Sequence, residues 1–190
     1  GLKDENTLLQ ELWEAFPEAR AIELQLEDIA AKIERGDDSL DTLIEQQARL
    51  FEQFDAMDGY RIEARIGRVI SGLGFKPSDR DKRCGDFSGG WQMRIALAKV
   101  LVRRPENALL DEPTNHLDAK TRDWLAEELQ DWDAALLIVT HDGAFLDKVA
   151  TRIFDLRDGK VDPYAGNYTA YQKQKAARLQ AQDQAAARQE

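Results

Sequence analysis

Two short apolar runs, Ala108–Leu110 and Ala135–Val139, flank an amphipathic stretch through Trp124, Leu125 and Leu129. Strands this short, separated by a helix, are the pattern of a parallel sheet, whose strands are joined by a helical crossover and buried by it. The second half of the chain is therefore expected to be α/β. Ile153–Leu156 adds a third expected strand, followed by an Asp158-Gly159 turn. From about Tyr168 the sequence is rich in Ala, Gln, Lys and Arg and reads as a helix leaving the domain. From Gln172 it sets Lys173, Lys175, Arg178 and Arg188 against Asp183 and Glu190, so this end alone is locally basic.

The front has a different texture. Four of the five prolines lie after residue 76, and the first seventy or so residues are mostly good helix formers. After Pro17, Ile22, Leu26, Ile29 and Ile33 recur at helical spacing until Gly36, Asp37 and Asp38 interrupt. A second pattern runs from Ser39 through Leu43, Leu50, Phe51 and Phe54 to Gly59, and the two predict an antiparallel helical hairpin. A third helix, Tyr60 to about Leu73, carries Ile62, Ile66 and Ile70 on one face and is stopped by Gly74 and Pro77. The expected organisation is a helical subdomain over residues 1–104, a partial α/β core over 105–167 and an outgoing helix over 168–190.

Composition narrows the function. The 190 residues can bury a sizeable core in one or two domains. With 36 acidic and 26 basic side chains the formal charge is -10, which repels phosphate backbones unless the basic residues cluster. Free-standing nucleic-acid binding is a poor first expectation. One cysteine, Cys84, cannot form an internal disulfide, and no apolar run approaches the roughly 20 residues of a membrane span, so a soluble cytoplasmic chain is expected.

Three local signals carry chemistry. In Ala108-Leu109-Leu110-Asp111-Glu112-Pro113 a strand delivers two carboxylates at its C-terminal end, where open α/β sheets place their ligands. Asp111 could hold Mg²⁺ directly or through water while Glu112 orients and deprotonates a water; the plain alternative is a pair of solvated acids. In Phe87-Ser88-Gly89-Gly90-Trp91-Gln92-Met93-Arg94, Ser88 suits an N-cap, and Gly89 and Gly90 let backbone N–H groups approach an anion at the helix start; the alternative is capping alone. In Leu137-Ile138-Val139-Thr140-His141-Asp142 a strand ends on a histidine able to donate to a phosphate oxygen or an attacking water, or simply to serve the fold. The order of the three would gather them at one sheet edge.

These residues resemble the ATP-binding cassette superfamily. Ser88-Gly89-Gly90 is similar to its signature loop, Asp111 and Glu112 to its Walker B pair, Leu117-Asp118 to its D-loop and His141 to its switch histidine. Asp111-Glu112-Pro113-Thr114-Asn115-His116-Leu117-Asp118, together with Trp91 after the signature and Tyr164-Ala165-Gly166-Asn167-Tyr168, resembles the ABC-F branch. A P-loop needs Gly-x-x-x-x-Gly-Lys-Ser/Thr, whereas the single Gly-Lys pair, Gly159-Lys160, is followed by Val161 and preceded by Phe154 at the first glycine position. The chain is thus expected to be the later part of one cassette: a helical hairpin subdomain, a partial parallel-sheet P-loop NTPase core without its P-loop strand, and the start of a linker helix.

The resemblance implies an ATPase in which two cassettes, in one polypeptide or a homodimer, sandwich two ATP molecules. Ser88, Gly89 and Gly90 would contact the γ-phosphate held by the opposing cassette. Asp118 would join the nucleotide site, and Asp111, Glu112 and His141 would serve Mg²⁺, the attacking water and the phosphate of their own cassette. It further implies action on the ribosome, with the linker reaching towards tRNA. The fragment by itself is expected to hydrolyse little ATP and, with its sheet edge and apolar faces uncovered, to self-associate. Other expectations left open are the signature lobe of a split cassette in chromosome maintenance or DNA repair, a transporter cassette, and a truncated, non-enzymatic interaction module.

Overall fold

The computed structural model describes residues 1–36 and 39–187. The chain divides into two compact units, Gly1–Pro105 and Glu106–Glu190.

Unit 1 is helical. Its elements are α1 (Leu8–Trp13), α2 (Pro17–Arg35), α3 (Leu40–Ala56), α4 (Gly59–Gly72) and α5 (Gly89–Arg103), with short 3₁₀ turns at Pro77–Asp79 and Cys84–Asp86. Helix α1 starts at a capping box: Thr7 Oγ1 accepts from Gln10 N–H, and Gln10 Oε1 accepts from Thr7 N–H. Pro17 opens α2, and Gly36, in the left-handed region at φ +71°, closes it. Helices α2 and α3 pack together across a short connection, as the hairpin requires. Asp37 and Asp38 of the expected turn, like Arg188 and Glu190 of the basic end, lie outside the described residues.

The second pattern does not run on to Gly59. Helix α3 stops at Ala56, and Gly59 opens α4. A side chain at Gly59 would meet the Phe54 ring at 2.5 Å, so this glycine allows the two helices to approach. Leu8, Leu12 and Trp13 of α1 are buried with Ile66, Val69 and Ile70 of α4 and Ile95, Ala98 and Leu101 of α5. Inside this apolar packing Glu11 is wholly enclosed. Lys99 of α5 forms an ion pair with Glu11 Oε1, and Asn6 Nδ2 donates to Glu11 Oε2 at 2.8 Å. Cys84 is buried nearby; desolvation, reinforced by the Glu11 charge, pushes its thiol pKa up to about 11.

Unit 2 contains β1 (Asn107–Asp111), α6 (Ala119–Gln130), β2 (Ala135–Val139), α7 (Gly143–Val149), β3 (Arg152–Arg157), β4 (Lys160–Ala165) and α8 (Tyr168–Ala187). Strands β1 and β2 pair in parallel, with Leu109 opposite Leu137 and Asp111 opposite Val139. Asn107 is the first residue of β1. The Ile153–Leu156 run is a strand but does not join that sheet: β3 pairs antiparallel with β4, which the sequence reading did not anticipate. The reason is the turn: Asp158 (φ +49°) and Gly159 (φ +73°) form a two-residue left-handed connection that returns the chain directly. Helix α8 packs on this hairpin and on α7. A Cβ at Gly143 would meet the Tyr168 ring at 2.5 Å, and Asp147 accepts from Thr169 N–H at 2.6 Å and Thr169 Oγ1 at 2.7 Å.

Alternation of side chains gives the parallel pair two unequal faces. Leu110 is buried, whereas Leu109 is 69% exposed and Leu137 and Val139 beside it are also exposed. A parallel pair ordinarily buries both faces. The 190-residue chain is therefore expected to self-associate in light scattering at about 100 µM, and Leu109→Lys with Leu137→Lys to reduce it. A monodisperse monomer for the unsubstituted chain would count against this.

Candidate active site

Both strands of the parallel pair end at the same edge, and the chemistry-bearing side chains follow from there. Glu112, the first residue after β1, has φ +46° and precedes Pro113. A non-glycine residue held so costs about 1 to 3 kcal/mol and persists where its surroundings fix it. Here Glu112 N–H donates to Val139 O at 2.7 Å, fastening the turn to the end of β2.

The carboxylate of Glu112 is held at both oxygens. His141 Nδ1 lies 3.0 Å from Oε1, and Thr140 Oγ1 donates to Oε2 at 3.1 Å. An ionised carboxylate only accepts, so the ring proton belongs on Nδ1. Glu112 is 30% exposed and His141 82%. The hydrogen bond from His141, assisted by that from Thr140, holds Glu112 below its ordinary pKa; the same bond, and the negative charge behind it, hold His141 above its own. The signs set a window. Stabilisation through Glu112 is present above its ordinary pKa and fades as pH falls through the depressed one, while that through His141 is complete below its ordinary pKa and is lost as pH rises through the raised one. Between these limits the pair is ionic.

Asp111, the last residue of β1 and the neighbour of Glu112 in the chain, is exposed. After Glu112 the chain turns through Asn115 N–H to Glu112 O (3.1 Å) and Leu117 N–H to Thr114 O (3.1 Å), with His116 left-handed. Asp118 then caps α6, its Oδ1 accepting from Thr121 N–H at 2.8 Å. Asp142 caps α7 by accepting from Phe145 N–H at 3.0 Å, and pairs with Arg122 of α6 at 3.1 Å.

Ser88, Gly89 and Gly90 belong to unit 1, at the start of α5. Ser88 occupies the N-cap position, but its side chain makes no capping bond; its backbone oxygen accepts from Gln92 N–H at 2.9 Å. A Cβ at Gly89 would meet nothing within 4 Å, so packing in the chain does not demand glycine there. The loop is gripped from behind: the Phe75 ring packs at a tilt on Trp91 (4.9 Å) and edge-to-face on Phe87 (5.8 Å), Arg94 lies 4.2 Å from the Trp91 ring centre, and Arg94 Nη1 donates to Leu73 O at 3.0 Å. The structure thus brings Glu112 and His141 together, leaves Asp111 at the end of β1, and sets Asp118 at the head of α6. Sequence reasoning missed Thr140 and Arg122; a hydroxyl directly before the strand-end histidine was the available signal for the first.

A family model described as ABC transporter matches residues 7–115, more than half of the chain, and a second so described matches 154–190. The chain belongs to the ABC transporter family. Within that family its relatives bear out the F-branch resemblance. ABC transporter F family member 5 of Arabidopsis thaliana is 39% identical over 186 residues, covering 94% of this chain and 26% of the relative. ATP-binding cassette sub-family F member 2 of Mus musculus is 40% identical over 169 residues, covering 89% and 26%. Energy-dependent translational throttle protein EttA of Mycobacterium tuberculosis is 39% identical over 169 residues, covering 85% and 30%. This ABC-family chain therefore spans between a quarter and a third of the length of these relatives. Among solved structures, an ATP binding subunit of an ABC transporter shares the fold at a TM-score of 0.50 and 19% identity, covering 55% of this chain and 45% of that one. No helix among the described residues is long and apolar enough to cross a membrane.

Proposed function

We propose that the chain is the signature- and Walker B-bearing part of one cassette of an F-branch ATPase, which binds and hydrolyses ATP between two cassettes and acts in translation. The observation that carries this is the Glu112 carboxylate, strained into place at the strand edge and held by His141 and Thr140. In this reading residues 1–104 are the helical subdomain, 105–167 the partial core and 168–190 the start of the linker.

Glu112 orients a water and takes its proton as the water attacks phosphorus. His141 steadies that carboxylate and offers its other ring nitrogen to the phosphate. Asp111 suits Mg²⁺: it is a hard, exposed oxygen donor, and a magnesium ion takes one or two carboxylates and fills its shell with phosphates and water. Bound there, Mg²⁺ would neutralise charge on the phosphates. Ser88, Gly89 and Gly90 serve the ATP of the opposing cassette; the open space at Gly89 and the N-terminal dipole of α5 support an approaching phosphate. Asp118 keeps the D-loop in register through its cap.

The role in translation rests on the relative named a translational throttle. The ribosome and tRNA are the proposed partners, approached through α8, and the cytoplasm the proposed location. The test is ATP turnover: the purified 190-residue chain is expected to give none above background, and the complete protein to give turnover that needs Mg²⁺. Robust hydrolysis by the 190 residues alone, or none by the complete protein, would sink the proposal.

A further inference from the structure

Thr140 lies between the two groups that the sequence singles out and received no role from it. It is partly buried at the end of β2, and its β-branched side chain has a restricted χ1. Its Oγ1 accepts from Asp142 N–H at 3.1 Å and sits 3.1 Å from Glu112 Oε2. A hydroxyl has one proton, a backbone N–H can only donate, and an ionised carboxylate can only accept. Both contacts are satisfied in one way: the hydroxyl proton points at Glu112. Its direction is thus fixed by the backbone of Asp142. That residue is itself tied down, by its cap on Phe145 N–H and by Arg122 of α6.

The two tethers of Glu112 differ in kind. His141 holds Oε1 from an exposed ring, whereas Thr140 holds Oε2 from a partly buried hydroxyl braced against the starts of α6 and α7. From this we infer that Thr140 is a positioning residue of the ATPase centre: it keeps the Glu112 carboxylate aimed when the His141 ring turns to another partner. The inference rests on the assignment of Glu112 as the water-orienting base.

The experiment is steady-state ATP turnover by the complete protein carrying Thr140→Val, Thr140→Ser or Glu112→Gln, with a melting temperature for each. Valine keeps the shape and removes the hydroxyl, so kcat is expected to fall about ten- to hundredfold, the worth of a hydrogen bond to a charged group, with KM for ATP within about twofold. Serine restores the hydroxyl and should bring kcat back to within about threefold. A structural defect would not produce that split or that rescue. Should valine unfold the protein, Thr140→Ala against Thr140→Ser carries the same comparison. If Glu112→Gln cuts turnover and Thr140→Val does not, or if serine is no better than valine, the positioning role is wrong and the base assignment stands. If Glu112→Gln leaves turnover unchanged, the base assignment fails and the role of Thr140 fails with it.

Discussion

Glu112→Gln in the complete protein should lower ATP turnover by about 10² to 10⁴ and leave ATP binding nearly intact, the usual worth of a positioned general base. The substitution is close to isosteric. It keeps an oxygen able to accept from Thr140 but removes the charge that draws the His141 proton, and it turns one acceptor into a donor. A carboxylate held below its ordinary pKa is a weak base at neutral pH, so the effect should come more from lost orientation of the water than from lost basicity. Turnover and nucleotide binding measured on the same preparation check this. Equal turnover in the two proteins would take Glu112 out of the chemistry.

The second large effect concerns folding. Lys99→Met should destabilise unit 1 by about 3 kcal/mol at neutral pH, because it leaves the carboxylate of Glu11, 0% exposed, with Asn6 as its remaining side-chain partner. Lys99 is itself 31% exposed, so little of the cost lies in losing the ammonium. The double change Glu11→Leu with Lys99→Met removes the stranded charge and should recover most of the loss. Urea denaturation followed by tryptophan fluorescence, to which Trp13 and Trp91 contribute from unit 1 and Trp124 and Trp132 from unit 2, reads the comparison as a shift of the unit 1 transition. A single-variant loss below about 1 kcal/mol would mean that water reaches Glu11.

The helical front is legible because long amphipathic repeats carry their own punctuation, as Pro17 and Gly36 do for α2. Helix α1 was missed because six residues are too few to show a period; its Thr7–Gln10 box was the signal that remained. The parallel pair follows from two apolar runs around an amphipathic helix, but partner choice for β3 does not follow from its apolar content. It was decided by the Asp158-Gly159 turn, which could have announced a hairpin. At the site, Asp111, Glu112 and His141 stand out as charged or titratable groups at strand ends. Thr140 and Arg122 do not, because a hydroxyl or a helix-surface arginine acquires meaning only from what folding sets beside it.

The seating of Tyr168 on Gly143 has a mechanical consequence. Helix α7 starts one residue after Asp142 and has no Cβ where the ring lies, and Asp147 grips the first turn of α8. Further along, Lys175 pairs with Asp155 at 2.7 Å and Arg178 with Asp162 at 3.0 Å, clamping α8 to the hairpin. Twenty helical residues span about 30 Å. The clamps lie within the first eleven residues, so α8 is a rod with a rooted base: a tilt of about 5° at Tyr168 sweeps its far end by roughly 2.5 Å, and the helix holds no glycine or proline to bend it.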